Sequence, residues 1–271
     1  MTAGVEGTNE TMTITSADGT ALAARCTGHG SPLVLVHGAN GDLDTFALIE
    51  GMLAEHHTVW VYSRRGRGSS GDGPGYALER EVEDLLALRA VAGDRAHLVG
   101  HSGGAIYSLL AAIEAPLLRS LVLYEPPLHF ERFDPSIIDR VQAALDAGDE
   151  DRALEIVFAA IGVAETEVQM LRSAESVWER LRAGVRLVPR ELHTGLQAID
   201  RLKQLDPPDI PTLYLYGEDT DTSIFATPDE VAELLPKAEH HGLPGQRHLA
   251  FVFDPTAFAQ AVLQFTTAHD G

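Results

Sequence analysis

The chain has 271 residues, enough for one large α/β domain or for a domain that carries an insertion. Hydrophobic residues make up 45% of the chain and charged residues 22%, which is typical of a folded globular protein and argues against disorder. The formal net charge is −20, from 40 acidic and 20 basic residues. Such a surface repels phosphate groups and therefore argues against nucleic acid and anionic membranes as partners.

Strand-like and helix-like segments alternate along most of the chain. The first of them predict a β-hairpin, with strands at 11–15 and 21–26 around an Asp18-Gly19 turn. The run 33–37 (LVLVH) is apolar, as expected of a strand buried on both faces, and further strands are predicted at 58–62, 97–100, 120–124, 212–216 and 240–243. Helical periodicity lies between them, at 43–53, 76–91, 104–115, 230–235 and 255–268. The alternation predicts an α/β fold, a mostly parallel eight-stranded sheet with helices on both faces.

One long segment departs from this alternation. Residues 128–205 have helical periodicity at 135–147, 151–161, 165–179 and 190–202, without a convincing strand. Because the segment falls between two strands of the predicted sheet, we expect it to cover the strand ends as a helical cap. The predicted domains are a core of residues 1–127 and 206–271 and a cap of residues 128–205.

The segment Gly100-His101-Ser102-Gly103-Gly104 has the pattern Gly-x-Ser-x-Gly between a predicted strand and a predicted helix. A serine hydroxyl is a weak nucleophile, and a tight strand-to-helix turn can project it beside a base and backbone N–H donors. The glycines allow the close backbone approach that such a turn requires. A serine that only caps the next helix would leave those glycines unexplained. Ser102 is therefore the predicted nucleophile.

With this turn in its strand–helix context, the chain resembles the α/β-hydrolase fold superfamily over nearly its whole length. The segment 36–41 (VHGANG) resembles the family's His-Gly loop. That resemblance implies an oxyanion hole made by the backbone N–H groups of Ala39 and Gly103. The segment 62–71 resembles the family's D-x-R-G-x-G-x-S turn, with Ser63 in place of the aspartate. Its arginines are predicted to be structural.

Twelve histidines compete for the role of general base. His248 follows the last predicted strand, in the loop where the family carries its base, although Arg247 replaces the family's usual glycine. An imidazole with a pKa near 6.5 can accept the serine proton and return it to a leaving group. His129 and His193 lie in the predicted cap, and a contact with the substrate stays open for both. Solvated positions are expected for His29, His56, His57, His240, His241 and His269.

The acid that orients the histidine has two candidate places. The resemblance places it three residues beyond a glycine after the seventh strand, but Thr220 stands there, flanked by Asp219 and Asp221. Glu125 directly follows the sixth predicted strand, where some superfamily members carry their acid. A carboxylate at a buried strand end needs a partner, which is either the histidine or an arginine of the segment 62–71. Glu125 is preferred, and Asp219 or Asp221 is the alternative.

These residues predict a serine hydrolase that cleaves an ester, thioester or lactone of a small organic substrate through an acyl-enzyme. Two other classes stay open, because one fold hosts many chemistries. They are a non-hydrolytic enzyme (a lyase, C–C cleavage or cyclase reaction on a natural product) and a catalytically silent ligand-binding module. The aromatic residues of the predicted cap line the pocket or form the cap core: Phe130, Phe133 and Trp178.

The remaining patterns concern cofactors, partners and location. No P-loop, dinucleotide fingerprint or metal motif appears, so no cofactor or metal is expected. A small-molecule substrate is the expected partner, without nucleic acid or membrane, and a homodimer is compatible with the sequence. Cys26 is the only cysteine, and the first ten residues do not resemble a signal peptide. We therefore expect a cytoplasmic protein, and the few lysines beside many arginines and alanines suggest a bacterial source.

Overall fold

The structure is a computed structural model that describes residues 10–93, 95–114, 118–129, 132–222 and 225–270, apart from the side chain of Leu196. Its described strands are β1 Thr11–Thr15, β2 Ala21–Gly28, β3 Ser31–Val36, β4 His57–Tyr62, β5 His97–His101, β6 Ser120–Tyr124, β7 Thr212–Gly217 and β8 Glu239–Leu243. They form one sheet in the order β1-β2-β4-β3-β5-β6-β7-β8. Only the β1–β2 and β2–β4 pairs are antiparallel. The predicted mostly parallel eight-stranded sheet is confirmed.

The helices occupy the connections between these strands. In chain order they are α1 Ala47–Ala54, α2 Leu78–Ala92, α3 Gly103–Glu114, α4 Ser136–Asp146, α5 Glu150–Ala160, α6 Glu165–Ser173, α7 Glu175–Val185, α8 Val188–Leu202, α9 Pro228–Leu234, α10 Ala250–Phe253 and α11 Pro255–Ala268. In the described part of the chain no helix is both long and apolar enough to cross a membrane.

The sheet separates two apolar cores, and strand β3 shows why its sequence is apolar at every position. Successive side chains of a strand point to opposite faces. Leu33 and Leu35 therefore pack in the core beneath α1 and α11, whereas Val34 and Val36 pack in the core that includes α2 and α3. A strand covered on both faces reads as a continuous apolar run rather than an alternating one.

Two helix predictions need correction. The segment 165–179 was predicted as one helix but is divided between α6 and α7 by Ala174, whose φ of −92° and ψ of 84° are not helical. The helix predicted at 43–53 begins only at Ala47. Before it, Thr45 Oγ1 accepts a hydrogen bond from Asp42 N, and Asp42 Oδ1 accepts one from Asp44 N. Such side-chain bonds to nearby backbone compete with helix formation.

Five helices, α4 to α8, lie between β6 and β7, and the described residues of 128–205 include no strand. Although these helices separate β6 from β7 in the sequence, the two strands are neighbours in the sheet. Leu121–Tyr124 pairs in parallel with Thr212–Leu215. The division of the chain into a core and a cap at the predicted boundaries stays a prediction.

The prediction that His57 is solvated is wrong. Its imidazole is buried at the start of β4, with Nδ1 2.7 Å from Ser31 Oγ and Nε2 2.8 Å from Thr266 Oγ1. The two hydroxyl groups satisfy both ring nitrogens, so the ring can be buried without the cost of an unpaired polar group. The exposed histidines agree with the prediction: His29, His56, His240 and His241.

Candidate active site

Ser102 lies in the tight turn between β5 and α3, at the carboxyl end of the sheet. Its φ is 54°, a left-handed conformation that is rare for a residue with a side chain. Its N–H donates a hydrogen bond of 2.9 Å to the carbonyl of Tyr124. A side chain at Gly100 would lie 2.5 Å from Ala105 Cα, and one at Gly104 would collide with the carbonyl of Val36. The glycines therefore permit the turn that exposes the serine.

Backbone conformations of this kind concentrate around the same site. Among the described residues, four non-glycine residues have positive φ, and three of them are Asn40 at 66°, Ser102 at 54° and Glu125 at 46°. These three lie in the segments that follow β3, β5 and β6. Sparsely populated backbone conformations cluster at functional sites, where the surrounding structure holds them in place.

His248 and Glu125 form a buried hydrogen-bonded pair. The distance between His248 Nδ1 and Glu125 Oε2 is 2.6 Å, and the two residues are 2% and 0% exposed. The second carboxylate oxygen, Oε1, accepts hydrogen bonds from Gly217 N at 2.7 Å and from Thr220 Oγ1 at 2.6 Å. The carboxylate is thus held on both sides, and it fixes the orientation and tautomer of the imidazole.

The two alternative acids lie elsewhere. Asp219 and Asp221 are exposed, and neither carboxylate is a described hydrogen-bond partner of His248. Glu125 also does not make the ion pair with an arginine that was weighed as its other role. The carboxylates around Arg64 are those of Glu81 and Glu191. Of the candidates, the structure brings only Glu125 to the histidine.

The other nitrogen of the His248 ring, Nε2, is buried and has no hydrogen-bond partner among the described residues. Ser102 and His248 line the same cavity, and no hydrogen bond joins their side chains among the described contacts. Catalytic hydrogen bonds are often long in a free enzyme and shorten when substrate binds. The arrangement leaves Nε2 available to accept a proton.

Aromatic rings hold the imidazole of His248 from two sides. The Phe225 ring stacks on it, with centroids 4.3 Å apart, and the His101 ring lies 4.5 Å from it. His101 Nε2 is 3.0 Å from the carbonyl of His248 and donates to it. Burial, together with the nearby His248, lowers the pKa of His101 well below its ordinary value. His101 is therefore neutral and positions the loop that carries His248.

Both residues of the implied oxyanion hole line the cavity beside Ser102: Ala39 and Gly103. Neither backbone N–H donates a hydrogen bond to any described residue. Gly103 is also the first residue of α3, and a helix N-terminus favours negative charge. These two donors are available for an oxyanion.

A cavity of about 450 Å³ opens above the serine. Of the three aromatic residues left open between the pocket wall and the cap core, Phe133 lines the cavity. Trp178 instead packs against Phe158, and its Nε1 donates a hydrogen bond of 2.6 Å to Asp151. Phe130 lies outside the described residues. The volume falls within the range of small-molecule sites in enzymes.

The two histidines left open for substrate contact do not line this cavity in the described structure. His193 Nδ1 is 3.0 Å from the carbonyl of Pro189, one turn earlier in α8. His129 Nε2 lies 3.3 Å from a carboxylate oxygen of Glu230. Each ring therefore contacts a protein group outside the cavity lining.

The arginines of the segment 62–71 are structural within the described contacts, as predicted. Arg64 makes two hydrogen bonds to Glu81, of 2.9 and 2.7 Å, and Arg65 makes two to Asp84, of 2.8 and 2.7 Å. All four side chains are fully buried. Bidentate pairing of this kind satisfies a buried guanidinium, which would otherwise be costly to bury.

One group of side chains away from the cavity could ligate a metal. Ligand atoms of His57, His97 and Asp270 lie within 4.8 Å of one another. His97 Nδ1 is already 2.7 Å from Ser120 Oγ, and its Nε2 is 3.0 Å from Asp270 Oδ1. Because both nitrogens of each histidine have protein partners, the group is satisfied by hydrogen bonds alone.

Sequence reasoning missed three residues of this site. Thr220 donates a hydrogen bond to Glu125. Phe225 stacks on the His248 ring, and Glu191 lines the cavity. Thr220 carried a signal, since a hydroxyl residue stands where the superfamily resemblance expects a carboxylate. Phe225 and Glu191 carried none, because each reaches the site only through the folding of distant segments.

The comparisons with known proteins show the family of this chain. The model of the alpha/beta hydrolase family matches residues 33–261. The chain belongs to the α/β hydrolase family. A crystal structure of an α/β hydrolase from Sphaerobacter thermophilus is similar to it with a TM-score of 0.82 and 33% sequence identity, over 94% of this chain and 100% of that one. The family resemblance stated from the sequence is confirmed.

Two curated relatives of this α/β hydrolase chain have named activities. A stretch of 105 residues is 37% identical to an N-formylmaleamate deformylase of Pseudomonas putida and covers 37% of this chain and 39% of that protein. The match thus spans about two fifths of the relative's length. Over 257 residues the chain is 26% identical to a pimeloyl-[acyl-carrier protein] methyl ester esterase of Xanthomonas campestris, with 89% and 97% covered. These relatives support hydrolase activity for this chain.

Proposed function

We propose that the protein is a serine hydrolase that cleaves an ester, thioester or lactone of a small organic substrate through an acyl-enzyme. The observation that carries the proposal is the buried Glu125–His248 pair, whose Nε2 has no partner among the described residues, beside the cavity that His248 and Ser102 both line. A nucleophile, a base and an orienting carboxylate around one cavity fit acyl transfer. The named relatives, a deformylase and an esterase, support the same reaction class.

The first half of the reaction forms the acyl-enzyme. Ser102 Oγ attacks the carbonyl carbon of the substrate while its proton passes to His248 Nε2. The imidazolium that forms is stabilised by the Glu125 carboxylate bound to Nδ1. The oxygen that becomes negative accepts hydrogen bonds from the backbone N–H groups of Ala39 and Gly103.

The second half releases the acid. His248 gives its proton to the leaving alcohol or thiol, and the carbonyl re-forms as an ester of Ser102. A water molecule then attacks that ester and gives its proton to His248 Nε2. The protonated imidazole returns a proton to Ser102 Oγ as the acid leaves, so that all groups regain their starting state. In this proposal helices α4 to α8 act as the cap that encloses the substrate.

Labelling with a fluorophosphonate tests the proposal directly. The reagent phosphonylates an activated serine, and the adduct is recorded as a mass increase of the intact protein. We expect one adduct on the wild-type protein and none on Ser102→Ala, since the variant lacks the attacking hydroxyl. A folded wild-type protein without an adduct would contradict the serine mechanism and favour a ligand-binding or lyase role.

A further inference from the structure

The cavity beside Ser102 has walls that are mostly hydrocarbon. Helices α5 to α8 contribute aliphatic side chains to it, and the loop before α1 faces them from the sheet. Representative wall residues are Val157, Leu171, Val177, Leu181, Val188 and Leu192. A wall of this composition favours the transfer of apolar groups out of water.

The charged groups at the mouth of the cavity are already paired. Among the described lining residues, Arg180 is the only lysine or arginine, and its Nε lies 3.4 Å from Asp42 Oδ2. Asp44 also lines the cavity, and its Oδ1 is 3.1 Å from Arg25 Nη1. Each charge at the mouth therefore has a partner of the opposite sign.

Another carboxylate that lines the cavity, that of Glu191, is buried and is paired with two arginines. Glu191 Oε1 lies 3.1 Å from Arg64 Nη2 and is also hydrogen-bonded by Arg67. Burial acts to raise the pKa of Glu191, but attraction to Arg64 and Arg67 outweighs it and lowers that pKa. The carboxylate is therefore ionised, and the guanidinium groups it neutralises are not free to bind a substrate anion.

The apolar wall continues outward to solvent. Leu48 and Met170 line the cavity and are 56% and 59% exposed. Exposed large apolar side chains around one opening mark a surface that binds apolar groups. They come from different helices, Leu48 from α1 and Met170 from α6. An apolar chain would thus remain in contact with hydrocarbon as it enters.

We infer that the substrate is a neutral ester, thioester or lactone with an apolar chain, and that the site rejects chains that carry a carboxylate. This inference rests on the proposed function for the reacting group only. A carboxylate placed in this cavity would lose its water and find no unpaired cation among the described lining residues. The net charge of −20 also repels anions before they enter.

A pair of methyl esters that differ only in the end of the chain tests this discrimination. Methyl hexanoate and monomethyl adipate are titrated into the Ser102→Ala variant by calorimetry, which measures binding without turnover. We expect monomethyl adipate to bind at least about a hundredfold more weakly, because its carboxylate must be desolvated. In the neutral series from methyl butyrate to methyl octanoate, affinity should rise by roughly fourfold per added methylene until the cavity is full.

A matched pair of variants tests the role of the Asp42–Arg180 pair. Asp42→Asn should free the Arg180 guanidinium within the cavity and raise the affinity of the Ser102→Ala protein for monomethyl adipate by roughly tenfold. Asp44→Asn removes the same charge, but its partner Arg25 remains paired with Glu50 and is not among the described lining residues, so affinity should change by less than about twofold.

The outcomes separate the inference from the proposed function. Equal binding of the two esters, or no binding of methyl hexanoate up to its solubility limit, would overturn the inference. Equal effects of Asp42→Asn and Asp44→Asn would overturn the assignment of charge neutralisation to the Asp42–Arg180 pair. If binding discriminates as expected but the wild-type protein hydrolyses neither ester and is not phosphonylated, the preference for a neutral apolar ligand stands, whereas the serine mechanism and the ester as reacting group fail.

Discussion

In the proposed mechanism, Thr220 and Glu125 together fill the role that a single aspartate has in the superfamily pattern. Thr220 stands in the place expected for the acid, and its hydroxyl donates a hydrogen bond of 2.6 Å to Glu125 Oε1. Gly217 N supplies a second donor to the same oxygen. The carboxylate therefore comes from the end of β6, while the loop after β7 still determines where that carboxylate lies.

Substitution of Glu125 by glutamine should lower kcat/KM for ester hydrolysis by about 10³- to 10⁴-fold. The amide keeps the size of the side chain but cannot stabilise an imidazolium, and it can present the wrong hydrogen-bonding atom to Nδ1. Asp219→Asn is the matched control, since it removes a carboxylate from the alternative site and should change kcat/KM by less than about twofold. Steady-state kinetics with a chromogenic ester measures both. A greater loss in Asp219→Asn would reverse the assignment.

Single residues could be predicted where the sequence carries a local pattern. Ser102 lies in a five-residue pattern, and His248 lies in a loop fixed by the last strand and the last helix. The acid could not be decided in this way, because Glu125 and His248 are 123 positions apart and meet only in the folded chain. The deciding hydroxyl of Thr220 comes from a third segment. A contact among three distant segments produces no periodic pattern in the sequence from which it could be predicted.

Two neighbouring residues of helix α8 form ion pairs of very different burial with the segment after β4. Glu191 reaches Arg64 and Arg67, with all three side chains at most 6% exposed. One residue earlier, Arg190 pairs with Asp72, whose side chains are 27% and 51% exposed. Both sets of ion pairs join α8 to the segment after β4. The stability contributions of a buried and an exposed ion pair can therefore be compared at the same place in the fold.

Loss of the buried ion pairs of Glu191 should lower the free energy of unfolding more than loss of the exposed Arg190–Asp72 pair. Glu191→Gln leaves the buried Arg67 without its carboxylate partner and should lower the free energy of unfolding by about 3–5 kcal/mol. Asp72→Asn breaks the exposed pair and should lower it by less than about 1 kcal/mol. Urea unfolding followed by circular dichroism measures both values. Similar losses in the two variants would show that burial does not set the cost.

The elements themselves were largely predictable because strands buried on both faces differ in pattern from helices. All eight strands of the sheet were placed within a few residues. The break at Ala174 was missed because apolar residues continue at helical spacing through it, and only backbone geometry marks the end of α6. The four-residue helix α10 is too short to show a period. Its position depends on the packing of Phe251 in the core under α11.

The two ends of the sheet differ in how they use histidine. At the carboxyl ends of the strands His248 lines the cavity, and its Nε2 has no hydrogen-bond partner among the described residues. At the amino ends His57 and His97 are buried, with ring centroids 5.3 Å apart and hydroxyl or carboxylate partners at every nitrogen. The first arrangement suits proton transfer and the second suits a fixed neutral ring. The two arrangements therefore lie at opposite ends of the sheet.

Because His97 is neutral in the folded protein, stability should fall as the pH falls below 6.5. Burial lowers the pKa of His97 to about 4, although Asp270 acts to raise it. The unfolded chain protonates histidine near pH 6.5, so between pH 6.5 and about 4 it binds more protons than the folded chain. Between pH 7 and pH 4.5 this difference should cost the folded state about 2 kcal/mol.

The variant His97→Gln should lose about 2 kcal/mol less stability than the wild type between those two pH values, whatever its stability at pH 7. Glutamine cannot take up a proton, so that part of the pH dependence disappears. His29→Gln is the control, since His29 is exposed and its loss should leave the wild-type difference unchanged. Urea unfolding at pH 7 and pH 4.5 gives the three differences. If His97→Gln and the wild type lose the same free energy, the acid sensitivity does not come from this buried ring.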